Sequence, residues 1–264
     1  MNFLLFIMLA FAGSTPYSGQ IVAVYDGDTY TLSSGHKIRL RAVNTPELRP
    51  KEAFGIEARD AIGRLALNKT VSLTYGSIKQ DSYERLLASV SVKNKDFGVY
   101  LLEEGLGHLF LIPPEELDVE SLKKVQAKAK EERKGIWGHR RYQGTLHITS
   151  FHANAPGIDE KNINGEYIRI CNIHTEPIQL EGYTMKTLDG RQYTLPKVLV
   201  PVGHTVKVHS GKGRNKTNTK KQLEIYLGSN QPIWNNAHDR VTFYDPSGKQ
   251  EDTRLHKPLK EPEQ

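Results

Sequence analysis

The hydrophobic pattern of this chain changes near Thr145, and that change limits the architectures open to it. Before this point, short alternating stretches are mixed with longer stretches in which apolar residues recur every three or four positions. After it, only short alternating stretches remain, separated by Gly, Pro and Asn. Alternation indicates strands, whereas the longer spacing indicates helices. The 264 residues, at about 150 residues per domain, therefore predict an α+β domain followed by an all-β domain.

The first half begins as a β-meander. Three strand-like stretches lie between Gly19 and Val43, separated by turn residues at Asp26-Gly27-Asp28 and Ser33-Ser34-Gly35. The order that follows is helix, two strands, two helices, and Tyr142 to Thr145 is predicted to be a linker. The predicted elements after the meander are helix 54–67, strands 71–75 and 86–92, and helices 97–106 and 119–132.

Composition excludes several classes of protein. Hydrophobic residues make up 38% and charged residues 25% of the chain, which excludes disorder, collagen and a polytopic membrane protein. The formal net charge of +6 favours polyanionic partners without demanding them. Cys171 is the only cysteine, so neither an intramolecular disulfide nor a thiolate zinc site can form. Because Cys171 lies in the alternating run 167–173, we expect a buried core residue rather than a reactive thiol.

The N-terminal segment carries a targeting pattern. The apolar run from Phe3 to Ala12 is too short to span a bilayer but suits a signal-peptide h-region, and Ala10-Phe11-Ala12 is typical of a cleavage site. Residues 1–12 are therefore predicted to be a signal peptide, which implies a secreted, periplasmic or cell-surface protein. No Lys or Arg precedes the run, and the alternative is a buried strand or a retained anchor.

Four short segments of the first half bring acids and arginines together. Alternation along the stretch Lys37 to Val43 predicts that Arg39 points outward from a barrel strand. Pro46 stiffens the turn that carries Asn44 and Glu47, and such fixed geometry suits a metal and a base. The four segments are Asp26-Gly27-Asp28-Thr29, Ile38-Arg39-Leu40, Asn44-Thr45-Pro46-Glu47 and Asp81-x-Tyr83-x-Arg85-Leu86.

In this order and at this spacing, the segments closely resemble the staphylococcal-nuclease-like, or thermonuclease, family. Two further phrases match, Phe54-Gly-Ile-Glu-Ala58 and Leu102-Glu-Glu-Gly-Leu106, so that the resemblance covers roughly Gln20 to Trp137. It implies an OB-fold, a five-stranded β-barrel with three helices, and a calcium-dependent phosphodiesterase site. An ordered set of this kind is far more specific than any one phrase.

The resemblance also implies roles for individual residues. Asp28, Asn44 and the Thr45 carbonyl correspond to Ca²⁺ ligands, with Asp26 as a nearby acid, and oxygen ligands suit such a hard cation. Glu47 corresponds to the general base, and Arg39 and Arg85 to the two arginines that grip the phosphate. Possible stacking groups near this site are Tyr83 and Phe110.

Two positions depart from the family pattern. Asn44 stands where the family commonly has Asp, so one anionic ligand is replaced by a neutral one and a higher calcium requirement is expected. Glu84 stands where the family usually has Gly, which adds negative charge beside Arg85. Taken alone, Arg85 is better explained as a structural arginine paired with Glu84 or Asp81, whereas the whole ordered set of segments favours a catalytic role.

The second half resembles a lamin-tail domain, an immunoglobulin-like β-sandwich. Its loop from Lys212 to Lys221 carries five cations and no acid, so it is either a clamp for phosphate backbone through Lys212, Arg214 and Lys216 or a solvated hairpin loop.

Trp137 and Trp234 are expected in the core. Four histidines of the second half, with no acids paired to them, are expected to have packing or surface roles: His147, His152, His204 and His209. The phrases that carry the resemblance are His152-Ala-Asn-Ala-Pro-Gly157, Asn164-Gly-Glu-Tyr167, Leu180-Glu-Gly-Tyr183, Leu195-Pro196, Pro201-Val-Gly203, Trp234-Asn-Asn236 and Val241-Thr-Phe-Tyr-Asp245.

These features predict a nuclease-like domain at 17–143, a lamin-tail-like domain at 145–258 and a tail at 259–264. The expected function is that of a secreted, monomeric, calcium-dependent endonuclease that cuts DNA and RNA with little sequence specificity, and the resemblance implies 3′-phosphate products. Single-stranded or locally opened nucleic acid is the expected substrate, and the lamin-tail-like domain could bind DNA, protein or a cell surface. The rival hypothesis is a non-catalytic nucleic-acid-binding or surface scaffold module.

Overall fold

The computed structural model describes residues 15–49, 51–114 and 117–256. The predicted signal peptide and the tail lie outside these residues. In the first half the elements, in chain order, are β1 (Ser18–Val24), β2 (Thr29–Leu32), β3 (Lys37–Leu40), β4 (Val43–Asn44), α1 (Gly55–Ala66), β5 (Thr70–Gln80), β6 (Leu86–Val92), β7 (Lys95–Asp96), α2 (Phe97–Glu103), β8 (His108–Leu109) and α3 (Val119–Glu131).

Five strands of the first half close into a barrel. They follow the order β3-β2-β1-β5-β6, and a parallel pairing of β3 with β6 joins the two ends of the sheet. Strand β6 buries every second residue, as its alternating sequence predicts, and these side chains fill the barrel with those of the neighbouring strands. The predicted OB-type barrel with three helices is therefore confirmed.

The predicted strand from Lys37 to Val43 is wrong in its last part. Strand β3 ends at Leu40, and Ala42 takes a left-handed backbone conformation with φ of 60°. This conformation turns the chain out of the barrel sheet. Strand β4 then pairs with β8 instead, with Asn44 opposite His108.

The three helices cover the barrel from outside. Helix α1 buries Ala58, Ile62 and Ala66 at helical spacing against the barrel. Helices α2 and α3 begin at acidic caps, where Asp96 accepts from Val99 N at 2.9 Å and Asp118 accepts from Ser121 N at 3.2 Å. Within the described part of the chain, no helix combines the length and apolar character needed to cross a membrane.

The second half is a β-sandwich. Its strands are β9 (Leu146–His152), β10 (Tyr167–Asn172), β11 (Ile178–Gln179), β12 (Thr184–Lys186), β13 (Gln192–Thr194), β14 (Leu199–Val200), β15 (Thr205–His209), β16 (Leu223–Tyr226), β17 (Asp239–Tyr244) and β18 (Gln250–His256). Two four-stranded sheets, with strand orders β16-β15-β10-β9 and β13-β12-β17-β18, enclose a core that contains Trp234, as predicted. Among the described residues after Glu131, only short 3₁₀ turns interrupt the strands.

The two halves are joined by a packed interface rather than a free linker. Trp137 and Tyr142 from the first half form a buried cluster with Cys171 and Ile173 of the sandwich. Leu111 N also donates to Gly203 O at 2.7 Å across the interface. Cys171 is fully buried, and burial raises the pKa of its thiol, as expected of a core residue. The predicted linker is corrected at its first residue, because Tyr142 is buried between the halves.

Candidate active site

The site is built on the turn between β1 and β2. Asp28 N donates to Asp26 Oδ1 at 3.0 Å, which fixes the two acids relative to each other. Gly27 between them is required by space, since a Cβ there would lie 2.6 Å from Thr45 Cγ2 and 2.8 Å from Ala58 Cβ. The turn thus packs closely against Thr45, which directly follows β4.

Asp28 connects this turn to the two neighbouring segments. Its Oδ2 accepts from Thr45 N at 2.8 Å and from the Thr45 hydroxyl at 3.2 Å. Its Oδ1 lies 3.3 Å from Arg39 Nε. One buried carboxylate therefore orients both the predicted phosphate-binding arginine and the segment that leads to Glu47.

Arg39 is held by several acceptors at once. Its Nη1 donates to Val43 O at 2.7 Å and its Nη2 to Asn44 Oδ1 at 3.0 Å, while the guanidinium lies 5.7 Å from the centre of the Phe110 ring. The outward prediction is corrected, because Arg39 is only 8% exposed. The chain reversal at Ala42 brings β4 and Phe110 over this part of β3, so the guanidinium is fixed and partly desolvated.

Asn44 and Thr45, two of the predicted calcium ligands, have protein partners. Because an arginine can only donate, Arg39 directs the side-chain oxygen of Asn44 toward itself. The Asn44 amide then donates to Thr45 O at 3.2 Å. Each of these two oxygens therefore accepts a hydrogen bond from the protein.

The acids of the site crowd one another. Burial raises the pKa of Asp26 to about 7, and the neighbouring Asp28 adds to the rise. Burial also raises the pKa of the half-buried Glu47 to about 7, with Asp28 and Glu52 adding to it and Arg254 and Arg39 opposing it. Such excess negative charge on oxygen donors suits a hard divalent cation. In the part of the chain that the structure describes, no three His, Cys, Asp or Glu side chains are grouped to hold a metal, so the fit concerns donor type and charge alone.

A cavity of about 300 Å³ lies beside Arg39 and brings Arg85 and Phe110 to the same place. Arg85 Nε and Nη2 lie 2.8 and 2.7 Å from Asp81 Oδ2. Arg85 therefore does form one of the two ion pairs that its structural interpretation requires, the pair with Asp81. The same guanidinium lines the cavity and lies 5.4 Å from the centre of the Tyr83 ring, which is 64% exposed. Asp81 therefore orients Arg85 at the cavity.

Glu84 occupies a strained position in the loop before Arg85. Its φ of 61° is left-handed, a conformation that Gly adopts freely and that costs another residue about 1–2 kcal/mol. The departure from the family pattern at this position therefore affects the backbone as well as the charge.

Sequence reasoning missed two groups of residues near the site. Arg41 lines the same cavity as Arg39 and Arg85, and the alternation that places it with Arg39 was a usable signal. Glu52 and Arg254 act on Glu47 electrostatically, and no motif marks either residue. The predicted clamp residues lie elsewhere: Lys212 and Arg214 are exposed on the sandwich, and Lys216 Nζ lies 2.8 Å from Glu224 Oε2.

Comparisons with known proteins agree with a nuclease barrel followed by a β-sandwich. The family model described as "Staphylococcal nuclease homologue" matches residues 37–139, and that of the "Lamin Tail Domain" matches residues 139–256. The chain is 31% identical over 127 residues to the "Thermonuclease" of Staphylococcus hyicus, covering 46% of this chain and 75% of that protein. It is 27% identical over 122 residues to an "Uncharacterized endonuclease" of Escherichia coli O157:H7, covering 45% and 76% respectively.

The chain therefore belongs to the staphylococcal nuclease family, and a lamin tail domain follows its nuclease domain. The two matched ranges meet at residue 139. The division predicted at residues 143–145 stays a prediction.

Proposed function

We propose that this protein is a calcium-dependent endonuclease that hydrolyses phosphodiester bonds of DNA and RNA. The observation that carries the proposal is that Arg39 contacts Asp28, acts electrostatically on Glu47 and lines the same cavity as Arg85. Membership of a nuclease family supports the reaction class. Export through the segment 1–12 and a monomeric state remain part of the proposal.

Glu47 is the proposed general base. Its pKa of about 7 lets the carboxylate accept a proton from water and release it again near neutral pH. Arg39 and Arg85 donate hydrogen bonds to the phosphate oxygens on which negative charge increases during attack. Because Asp28 and Asp81 already orient these guanidinium groups, little reorganisation accompanies the reaction.

The proposed calcium site uses Asp28, Asn44 and the Thr45 carbonyl, with Asp26 nearby. Calcium would supply positive charge toward a phosphate oxygen at this position. For Asn44 and Thr45 to serve as ligands, their oxygens must face the ion in addition to, or instead of, their present partners.

The proposed arginine contacts to phosphate predict low sequence specificity. Contacts from arginines to phosphate carry no base code, so cleavage is expected to tolerate sequence and to weaken with salt. The exposed Tyr83 ring and the Phe110 ring at the cavity offer stacking surfaces for unpaired bases. Single-stranded or locally opened substrates should therefore be preferred, with 3′-phosphate ends as the proposed products.

A plasmid-nicking assay tests the proposal with wild type and Glu47→Ala, in calcium and in chelator. We expect nicking by wild type in calcium only, and at least 100-fold slower nicking by Glu47→Ala. Glu131→Ala, an exposed glutamate of α3, is the matched control and should cleave like wild type. DNA binding without cleavage in any tube would instead favour the non-catalytic module.

A further inference from the structure

Glu52 is a buried acid directly behind the segment that carries Glu47. Its side chain is only 4% exposed, and its Oε2 accepts from Glu47 N at 2.9 Å. Its Oε1 lies 2.9 Å from Arg141 Nη1 and 3.1 Å from Arg254 Nη1. Glu52 thus joins the backbone of the proposed base to two arginines that lie far away in the sequence.

Both arginines are anchored by the sandwich. Arg254 lies on β18, and its Nη1 also donates to Ile148 O at 2.9 Å. Arg141, just before the sandwich, places its Nε 3.3 Å from Asp252 Oδ1. The expectation that His147 lacks an acidic partner is wrong, because its Nδ1 lies 2.8 Å from Asp252 Oδ2. Because β9 and β18 lie far apart along the chain, no local sequence pattern indicates the pairing of His147 with Asp252.

Together these contacts connect the sandwich, through a continuous series of ion pairs and hydrogen bonds, to the segment that carries Glu47. A carboxylate this buried is stable only when charged donors satisfy it, and removing one partner leaves the other charge exposed to a low dielectric. Without Arg141 and Arg254, Glu52 would turn toward solvent and release Glu47 N. Displacement of a catalytic group by about 1 Å can cost about 100-fold in rate.

We infer that the lamin tail domain helps to set the geometry of the nuclease site. Arg254 and Arg141 hold Glu52 in place, and Glu52 fixes the position of the backbone at Glu47. Glu52 is thus a positioning residue rather than a catalytic one. The inference rests on the proposed function to the extent that Glu47 is the base. It gives the sandwich a role in turnover that does not require the sandwich to bind nucleic acid.

Steady-state cleavage of a single-stranded oligonucleotide by the full-length chain tests the inference with Glu52→Gln, Arg254→Met and the double variant. Each single change should lower kcat about 10-fold or more and leave KM near the wild-type value, because the cavity arginines keep their own partners. The double variant should lose about as much as either single variant, since both changes break one contact. Arg254→Lys, which retains the charge, should restore part of kcat, and Arg240→Met on the neighbouring strand β17 is the exposed control.

Amide hydrogen exchange of the peptide that covers Glu47 provides a readout independent of activity. Exchange at this amide should accelerate about 10-fold in Arg254→Met while peptides from the sandwich core keep their wild-type rates. Faster exchange with unchanged kcat would overturn the positioning role, as would additive losses in the double variant. If Arg254→Met fails to fold, Glu52→Gln carries the same comparison, because it weakens the same contact. Full activity of Glu47→Ala would instead refute the proposed function while leaving the exchange result to decide the contact itself.

Discussion

Both halves of the molecule bury carboxylates, but they treat the charge differently. In the barrel, the buried Asp26 and the half-buried Glu47 lie near Asp28, and the pKa of each is raised to about 7. In the sandwich, burial would raise the pKa of Asp252, yet His147, Arg141 and the Ile148 N–H together bring it below its usual value. The sandwich thus surrounds its buried acid with hydrogen-bond donors and positive charge. The barrel instead leaves its acids close together at the proposed active site.

The first prediction compares how these two kinds of acid affect the stability of the fold. It is the prediction with the largest expected effect. Asp252→Asn should lower the free energy of unfolding by about 3 kcal/mol, because Arg141 loses its buried counter-charge and His147 loses its carboxylate partner. Asp26→Asn should not lower it, because the change removes one member of a repelling pair and keeps an acceptor for Asp28 N. Urea unfolding at pH 7 in chelator measures both, and equal losses would erase the proposed difference between the halves.

The second prediction concerns the arginine that the barrel acids orient. Arg39→Lys should lower kcat/KM about 100-fold, because an ammonium group cannot replace a planar fork that meets Asp28, Asn44 and the substrate together. Arg191→Lys in the sandwich, an arginine in an exposed pair with Asp189, is the matched control. A similar small loss in both variants would mean that Arg39 has only a structural role.

A third, smaller effect is expected from adding charge to the crowded acids. Asn44→Asp should lower the calcium concentration for half-maximal activity by about tenfold, because an anionic oxygen replaces a neutral one next to Asp28. Calcium titration of the cleavage rate measures the midpoint. Asn68→Asp adds the same charge at an exposed position outside the site. An unchanged midpoint for Asn44→Asp would count against ligation at this position.

The smallest effect is expected at the cationic loop of the sandwich. Lys212 and Arg214 are exposed, and neither is among the described residues that line the cavity beside Arg39, so we expect them to be solvated. The double change to Gln should leave the salt dependence of DNA binding unchanged. If both residues hold phosphates, the slope of log K against log salt should instead become shallower by about 2.

Much of the barrel and its site could be predicted from the sequence because the signals are local. Helix α1 spans Gly55–Ala66 where spacing predicted 54–67, and β6 spans Leu86–Val92 as predicted. Asp28, Arg39 and Arg85 were found from ordered phrases, and the structure brings them together at one end of the barrel. The break at Ala42 could not be predicted, since a left-handed alanine follows from the pairing of β4 with β8 rather than from its own preference.

The amino-acid sequence by itself determined the two fold classes, the order of most elements and the set of candidate catalytic residues. The fold classes and the order of elements depend on periodicity over a few residues, which the chain displays directly, whereas the candidate catalytic residues follow from the resemblance of its ordered motifs to a known family. Only the tertiary structure decided that Arg141 meets Glu52 across 89 positions and that Tyr142 is buried between the halves. Charges and apolar faces so far apart can pair in many ways, and the packing of barrel against sandwich selects one of them.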